Sequence, residues 1–190
     1  VTLSAANLDT IKKATNVNTV TLLNDNSVSG TFAHIEYIIN SIVNMATKAT
    51  CTITDADAIG ASSATRFSDV LSATPAPLTA NVSGTVAQLS SLEAGNALTM
   101  SVSNPASVAD VAAVAAKTTL TGAGSLILTG GISDTFENIR GSGVSNTLSS
   151  TMLDALIRDS DASVTVTDAQ IELNHSYKAA VFDKLISYKT

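Results

Sequence analysis

The sequence has few charged residues, few aromatic side chains and a single cysteine. Each of these shortages excludes some classes of protein. Charged residues make up 14% of the 190 residues, aromatic residues make up 4%, and tryptophan is absent. Because soluble domains usually carry roughly 25% charged residues, this surface has to be covered by neutral hydroxyl and amide groups. Such a composition is typical of secreted and cell-surface repeat proteins, so we expect an extracellular or cell-surface location.

Basic clusters and long apolar runs are also missing. The net charge is −6, the lysines form no run beyond Lys12-Lys13, and the arginines are far apart: Arg66, Arg140 and Arg158. Nucleic acids and anionic membranes need clustered Lys and Arg, so neither is an expected partner. A spanning helix needs ~20 apolar residues, and the best stretch, 35–45, contains Glu36, Asn40 and Asn44. We therefore predict no membrane insertion.

Cysteine occurs once, at Cys51, which excludes an internal disulfide. It lies in a strand-like run without a nearby base or cation to lower its pKa, so a half-buried, inert thiol is expected. The chain starts at Val1 without a signal peptide and stops within its pattern at Thr190. We interpret the sequence as a piece of a longer protein.

What the sequence does contain is a short motif that recurs along the chain. A hydrophobic residue ends a strand-like run, and Ser, Thr or Asn and then Asp, Gly or Asn follow it. We call these three residues the cap motif, and its copies are Leu23-Asn24-Asp25, Ile53-Thr54-Asp55, Val82-Ser83-Gly84, Val102-Ser103-Asn104, Leu128-Thr129-Gly130 and Val166-Thr167-Asp168, with a degenerate copy at Leu3-Ser4-Ala5. The polar residues are expected to accept hydrogen bonds from the first N–H groups of the helix that follows.

Periodicity predicts the secondary structure between the motifs. Alternation of period two with β-branched residues predicts strands at 19–23, 50–54, 78–82, 98–102, 125–129 and 163–167. A period of 3.6 residues predicts helices at 6–14, 32–46, 64–71, 85–92, 107–116, 133–139, 151–158 and 177–188. Ser107 and Asp110 have the spacing of a capping box, with Asp in place of Glu.

This order of elements predicts a repeat architecture. Strands that alternate with helices are joined by crossovers and should run parallel, and the apolar face that one unit cannot bury is covered by stacked neighbours. We predict an α/β fold in which about seven strand–cap–helix units form a parallel-sheet solenoid, as a single domain over 1–190. The alternative is a mainly β solenoid with short helices. Equivalent buried positions are expected at Val82, Val102, Leu128 and Val166.

Segments such as VTVTDAQIEL, LTANVSGTVAQLSSLEA and LTMSVSNPASVADVAAVAAKTT resemble the repeats of very large bacterial surface or secreted proteins, adhesin-like or surface-layer-like. Such proteins are common in cyanobacteria and other aquatic bacteria, often beside hemolysin-type calcium-binding repeats. The glycine-rich nonapeptide of those calcium-binding repeats is absent here, so their calcium ligands are not carried over. The resemblance implies a role in surface structure, adhesion or motility.

Two Asp-x-Asp pairs are the candidate metal ligands: Asp55 with Asp57 after a strand, and Asp159 with Asp161 before the last strand. Calcium takes roughly 6–8 oxygen ligands from carboxylates and carbonyls, so calcium is the cofactor that these residues suggest. The spacing does not match an EF-hand loop. In the other interpretation Asp55 caps a turn, and Asp159 and Asp161 lie in a solvated loop.

Catalytic and nucleotide-binding patterns are missing. The histidines, His34 and His175, lack the local partners of a zinc site, and no Gly-x-Ser-x-Gly elbow accompanies the serines. Glycine pairs such as Gly130-Gly131 lack the context of a phosphate-binding loop. We therefore predict that the protein is not an enzyme.

Two surfaces are candidates for binding. Thr and Ser alternate with aliphatic residues in the predicted strands, as at Thr50, Thr52 and Thr54, and would form hydroxyl rows on the face away from the helices. Ordinary β propensity, a glycan-binding or O-glycosylated face, and an ice- or mineral-facing array are the open interpretations. The second surface is the apolar side of the last predicted helix, with the candidate assembly residues Tyr177, Val181, Phe182, Leu185 and Ile186.

Two functions follow from these patterns. The ends of a solenoid expose strand edges and apolar surface unless they are capped, so we expect other copies, or adjacent repeats of the same parent protein, as partners. The first prediction is a non-catalytic structural or assembly module of a larger extracellular surface protein. The alternative is a glycan- or cell-binding adhesin or fibre module, which calcium could stabilise.

Overall fold

The computed structural model describes residues 2–15, 20–22, 27–41, 43–45, 50–71, 78–142, 147–171 and 176–187. They form a mixed α/β fold. The helices are α1 Ala5–Thr15, α2 Phe32–Ser41, α3 Ala61–Leu71, α4 Val86–Ser90, α5 Val108–Ala115, α6 Phe136–Arg140, α7 Ser150–Arg158 and α8 Ser176–Ser187. The strands are β1 Thr2–Ser4, β2 Val20–Leu22, β3 Ser27–Gly30, β4 Val43–Met45, β5 Thr50–Ile53, β6 Ile59–Gly60, β7 Leu78–Gly84, β8 Ala97–Val102, β9 Leu126–Ile127, β10 Ile132–Asp134 and β11 Val164–Val166.

The main sheet contains seven strands and is mostly parallel. Its hydrogen-bonded order is β1-β3-β5-β7-β8-β9, and β6 also pairs with β7. Two further pairs, β2 with β4 and β10 with β11, are parallel as well. The parallel strands that the alternation with helices predicts are therefore confirmed, and a helix lies between most strands that are consecutive in the sheet.

By contacts the chain divides into two compact units. The first contains Val1–Ser83, Ser91–Thr99 and Lys117–Leu120, and the second contains Gly84–Ser90, Met100–Ala116 and Thr121–Thr190. The prediction of a single array over 1–190 stays a prediction. None of the helices that the structure describes is long and apolar enough to cross a membrane.

Residues of both strands and helices supply the core of each unit. In the first unit Cys51, Leu78 and Val82 are fully buried, and Phe67 of α3 joins them. In the second unit the same role falls to Val102, Leu128 and other aliphatic residues: Met100, Val111, Val114, Leu126 and Ile139. Burial at three of the four predicted equivalent positions is thus confirmed.

The fourth predicted core position, Val166, is half-buried and has less cover than the other three. Within the described residues β11 has a strand neighbour on one side only, β10. The side chain of Val166 instead borders an open groove beside α8. A strand with one neighbour receives less cover than a strand with two.

Strands occupy part of two predicted helices. The helix predicted at 32–46 ends at Ser41, because Val43–Met45 forms strand β4 and pairs in register with β2. The helix predicted at 133–139 begins only at Phe136, because the preceding residues Ile132–Asp134 pair with β11. In both cases the backbone finds strand partners that are distant in the sequence, and this pairing overrides local propensity.

Candidate assembly interface

The third residue of the cap motif bonds to the helix of the preceding repeat. In the first compact unit Asp55 ends the motif after β5, and its Oδ2 accepts a hydrogen bond of 2.5 Å from the backbone N–H of Phe32. Phe32 is the first residue of α2, 23 positions earlier in the chain. Its N–H has no partner inside the helix, so the next repeat supplies the missing acceptor.

The same contact recurs in the second compact unit. Each acceptor is the last residue of a strand or lies two residues after it, and each donor is the first residue of a helix earlier in the chain. The pairs are Asn104 Oδ1 with the N–H of Val86 at 2.9 Å, Asp134 Oδ2 with Val108 at 2.9 Å, and Asp168 Oδ2 with Phe136 at 2.6 Å. These bonds begin α4, α5 and α6, so we call them the inter-repeat caps.

A backbone bond accompanies every inter-repeat cap. The second residue of the motif donates its N–H to a carbonyl that lies two residues before the capped N–H. The pairs are Thr54 with Gly30 at 3.0 Å, Ser103 with Gly84 at 2.9 Å, Ser133 with Ala106 at 2.8 Å, and Thr167 with Asp134 at 2.9 Å. Two bonds from adjacent motif residues fix both the register and the direction of the incoming strand.

The expected role of the motif was therefore wrong in one respect. Its polar residue caps the helix of the preceding repeat, and a different Ser or Thr begins the helix that follows. The predicted capping box is confirmed as such a local cap, because Ser107 accepts from the N–H of Asp110 and Asp110 accepts from the N–H of Ser107. Thr135 likewise accepts from the N–H of Asn138 at the start of α6.

Glycine occupies two positions, Gly130 and Gly30, where an earlier part of the chain comes very close. A Cβ built on Gly130 would lie 2.1 Å from the carbonyl carbon of Asn104, and one on Gly30 would lie 2.6 Å from the Cβ of Ala5. Real Cβ atoms do not approach neighbours this closely. Gly130 and Gly30 are therefore required by close packing between repeats. The motif copy at 23–25 lies outside the described residues.

Asp134 is the most heavily bonded residue among the inter-repeat caps. Besides Val108 it accepts from the N–H of Thr135 at 2.8 Å and from the side-chain amide of Asn138 at 2.7 Å, while only 9% of its surface is exposed. Burial on its own would raise the pKa of Asp134, but these hydrogen bonds favour the carboxylate and together lower its pKa. The ionised carboxylate of Asp134 is therefore the form that these hydrogen bonds stabilise.

Sequence reasoning did not single out Asp134. The signal was present, because Ile132-Ser133-Asp134 has the composition of the cap motif. Its window was assigned to a helix instead, since the strand is only three residues long.

Near Asp134, the Arg140 guanidinium bonds to Glu137 and holds the pKa of that carboxyl below its usual range.

The candidate calcium ligands are divided between the two compact units. Asp55 accepts from Phe32, and Asp159 accepts from the N–H groups of Leu128 at 2.6 Å and Asp161 at 3.1 Å. Asp57 and Asp161 are exposed. The described part of the chain brings together no group of three or more His, Cys, Asp or Glu side chains that could hold a metal ion. Calcium binding stays a hypothesis.

The candidate assembly residues of α8 face different environments. Val181 is fully buried, Leu185 is nearly so, and the half-buried Phe182 stacks on Phe136 with ring centroids 5.6 Å apart. Ile186 is 60% exposed. Val181, Phe182 and Leu185 therefore hold α8 against its own unit, and Ile186 faces outward. The side chain of Tyr177 lies outside the described set.

Ile186 also borders an open groove next to the last strand. The groove has a volume of about 150 Å³, and its other lining residues are Val164, Val166, Phe182 and Leu185. All of them are apolar. The groove therefore lies between residues of β11 and the apolar side of α8.

Hydroxyl groups meet across neighbouring strands as the alternation suggests. Ser27 donates from Oγ to the Oγ1 of Thr2 at 2.8 Å, and Thr50 is the register partner of Ser27 on the next strand. In the second unit Ser101 Oγ lies 3.1 Å from Thr129 Oγ1. These contacts are two pairs of neutral hydroxyl groups, one in each compact unit.

Two of the remaining candidate residues, Cys51 and His34, lie within the part of the chain that the structure describes. Cys51 is fully buried, and burial raises the pKa of its thiol to about 12, so the thiolate is strongly disfavoured. The Nδ1 of His34 lies 3.0 Å from the hydroxyl of Thr31. His175 lies outside the described residues.

Comparison of the chain with protein-family models, with curated proteins and with solved structures finds no match.

Proposed function

We propose that this chain is a non-catalytic structural module of a larger extracellular surface protein, built from repeats that stack as an α/β solenoid. The observation that carries the proposal is the inter-repeat cap, because the same two-bond contact begins α2, α4, α5 and α6. Such a contact can form only when the following repeat is in place. In this proposal the residues of the cap motif specify how each repeat stacks on the one before it.

The physical reason lies at the start of each helix. The first N–H groups of a helix have no intrahelical partner, and a repeat that supplies its neighbour's acceptor is incomplete on its own. Stability in such proteins is roughly the sum of repeat and neighbour terms. An array in which each repeat depends on its neighbour suits a stalk, a sheath or a surface layer. Such structures work by being long and continuous.

Composition supports the proposed location. The surface carries few charges, the net charge is −6, and neutral hydroxyls cover the exposed strand positions. The resemblance to repeats of large bacterial surface proteins agrees with this location. The partners in this proposal are other copies of the chain or the adjacent repeats of the parent protein.

The end at β11 and α8 is where stacking would continue. Ser163 and Thr167 bond to β10, so the N–H and C=O groups of Val164 and Val166 point to the opposite edge of β11. This edge borders the apolar groove that ends at Ile186. A further parallel strand with its helix would satisfy the edge and cover the groove.

Negative-stain microscopy tests the proposal with a matched pair of variants. Ile186→Lys places a charge at the proposed contact, and Ile157→Lys changes an isoleucine of α7 that is similarly exposed, at 55% against 60%. We expect the wild type and Ile157→Lys to form filaments or sheets at high concentration and Ile186→Lys to form none. Single particles for all three chains, with and without calcium, would contradict the proposal.

The hydroxyl rows favour glycan binding as the second candidate function. Neutral hydroxyls at strand spacing, ~4.8 Å apart, can exchange hydrogen bonds with the hydroxyls of a polysaccharide. A glycan array separates the two functions, with Thr50→Val as the variant, because Thr50 is the register partner of Ser27. Saturable binding that Thr50→Val weakens, together with an absence of assembly, would favour the binding module.

A further inference from the structure

A cavity of about 300 Å³ lies beside α5 and α7 in the second compact unit. Its apolar wall includes Val111, Ala115 and Leu126, and its polar wall includes Thr151, Asp154 and Arg158. This volume is at the lower end of the range for ligand sites, which is ~300–1,000 Å³. The cavity is therefore suited to a small molecule with a short aliphatic part.

Arg158 is an unusual residue to find in such a wall. Its Nη1 is buried and, among the residues that the structure describes, it is the one buried side-chain polar atom without a hydrogen-bond partner. Native proteins leave few buried donors unpaired. Arg158 as a whole is partly exposed and lines the cavity.

Asp154 brings the opposite charge to the same cavity. It lies one helical turn before Arg158 on α7 and is exposed. Residues at this spacing on a helix are neighbours and often pair, yet within the described residues no ion pair joins these two. Two unpaired, opposite charges thus border one cavity with an apolar wall.

We propose that this cavity binds a small zwitterion of the α-amino-acid class. The planar guanidinium of Arg158 matches a carboxylate, and Asp154 matches the ammonium group. An aliphatic side chain would contact Val111, Ala115 and Leu126. The carboxylate of Asp154 disfavours a dianion such as phosphate by repulsion, which makes the zwitterion the better fit.

An NMR titration of the full chain tests this inference with four probes: valine, isovalerate, isobutylamine and inorganic phosphate. We expect valine to give saturable shifts of the amides around the cavity at millimolar concentration. Arg158→Gln should weaken valine and isovalerate binding about tenfold or more, which corresponds to about 1.4 kcal/mol. Asp154→Asn should weaken valine binding and leave isovalerate binding unchanged. Arg140→Gln, the charge-matched control, should leave both unchanged.

Several results would overturn the inference. One is the absence of saturable shifts with valine in a chain whose melting temperature is normal. Another is valine binding that Arg158→Gln or Asp154→Asn does not change, and a third is tighter binding of phosphate than of valine.

Discussion

Replacing Asp134 by Ala removes an acceptor that three donors share. The N–H groups of Val108 and Thr135 and the side-chain amide of Asn138 all bond to this carboxylate at 2.7–2.9 Å. Loss of a helix N-cap costs about 0.5–2 kcal/mol, and a hydrogen bond to a charged group contributes about 1.5–3 kcal/mol. Because these contributions overlap and water can replace part of them, we expect the free energy of unfolding to fall by about 2–4 kcal/mol.

Urea denaturation followed by circular dichroism measures this loss. Asp161→Ala is the control, because Asp161 is exposed and contributes only its backbone N–H to the hydrogen bond with Asp159. Asp134→Asn should be intermediate, since an amide oxygen can still accept from Val108. A loss for Asp134→Ala no larger than that for Asp161→Ala would refute the idea that the inter-repeat cap stabilises the array.

The dependence on pH provides an independent check of the same residue. An unfolded Asp titrates near pH ~3.9, and the folded pKa of Asp134 is lower because its hydrogen bonds outweigh burial. Its stabilisation is therefore complete above the unfolded pKa and is lost as the pH falls through the folded pKa. The gap in stability between wild type and Asp134→Ala should be widest near neutral pH and narrow below pH ~4. A gap that stays constant with pH would contradict this mechanism.

Two further predictions concern packing between repeats. Val102→Ala should lower the free energy of unfolding by about 1–4 kcal/mol, and Val166→Ala by less, because Val102 is buried and Val166 half-buried; equal losses in urea denaturation would show that this difference in burial does not set the loss. Gly130→Ala should destabilise by about 1–3 kcal/mol, as overpacking does, because its Cβ would meet the backbone of Asn104, whereas a Cβ on Gly60 has no neighbour closer than 3.9 Å. Unchanged melting of Gly130→Ala relative to Gly60→Ala would disprove the close approach.

Much of the fold could be predicted because local patterns and tertiary pairing agree. The strand predicted at 50–54 is observed at Thr50–Ile53, and the one predicted at 98–102 is observed at Ala97–Val102. Both alternate buried and less buried residues along the whole strand. The amphipathic helix predicted at 151–158 is likewise observed at Ser150–Arg158.

The inter-repeat caps could not be predicted in the same way. A polar residue before a helix has the same local signature whether it caps that helix or one in the preceding repeat. Asn104 and Asp168 bond to N–H groups 18 and 32 residues earlier. Only the strand register decides which helix receives the bond, and that register is set by pairing over long distances. The cap motif therefore indicated the order of strands and helices, while the direction of the capping contact required the three-dimensional structure.

Sedimentation velocity over a range of concentrations tests the central claim, that this chain is a module that stacks, most directly. We predict that the mean mass of the wild type rises above the 19.3 kDa of one chain as concentration increases. Ile186→Lys should need at least about tenfold more protein for the same mass, because it removes apolar burial worth about 1.5–3 kcal/mol, and Ile157→Lys should behave like the wild type. A mass of one chain at every concentration for all three proteins would contradict the account.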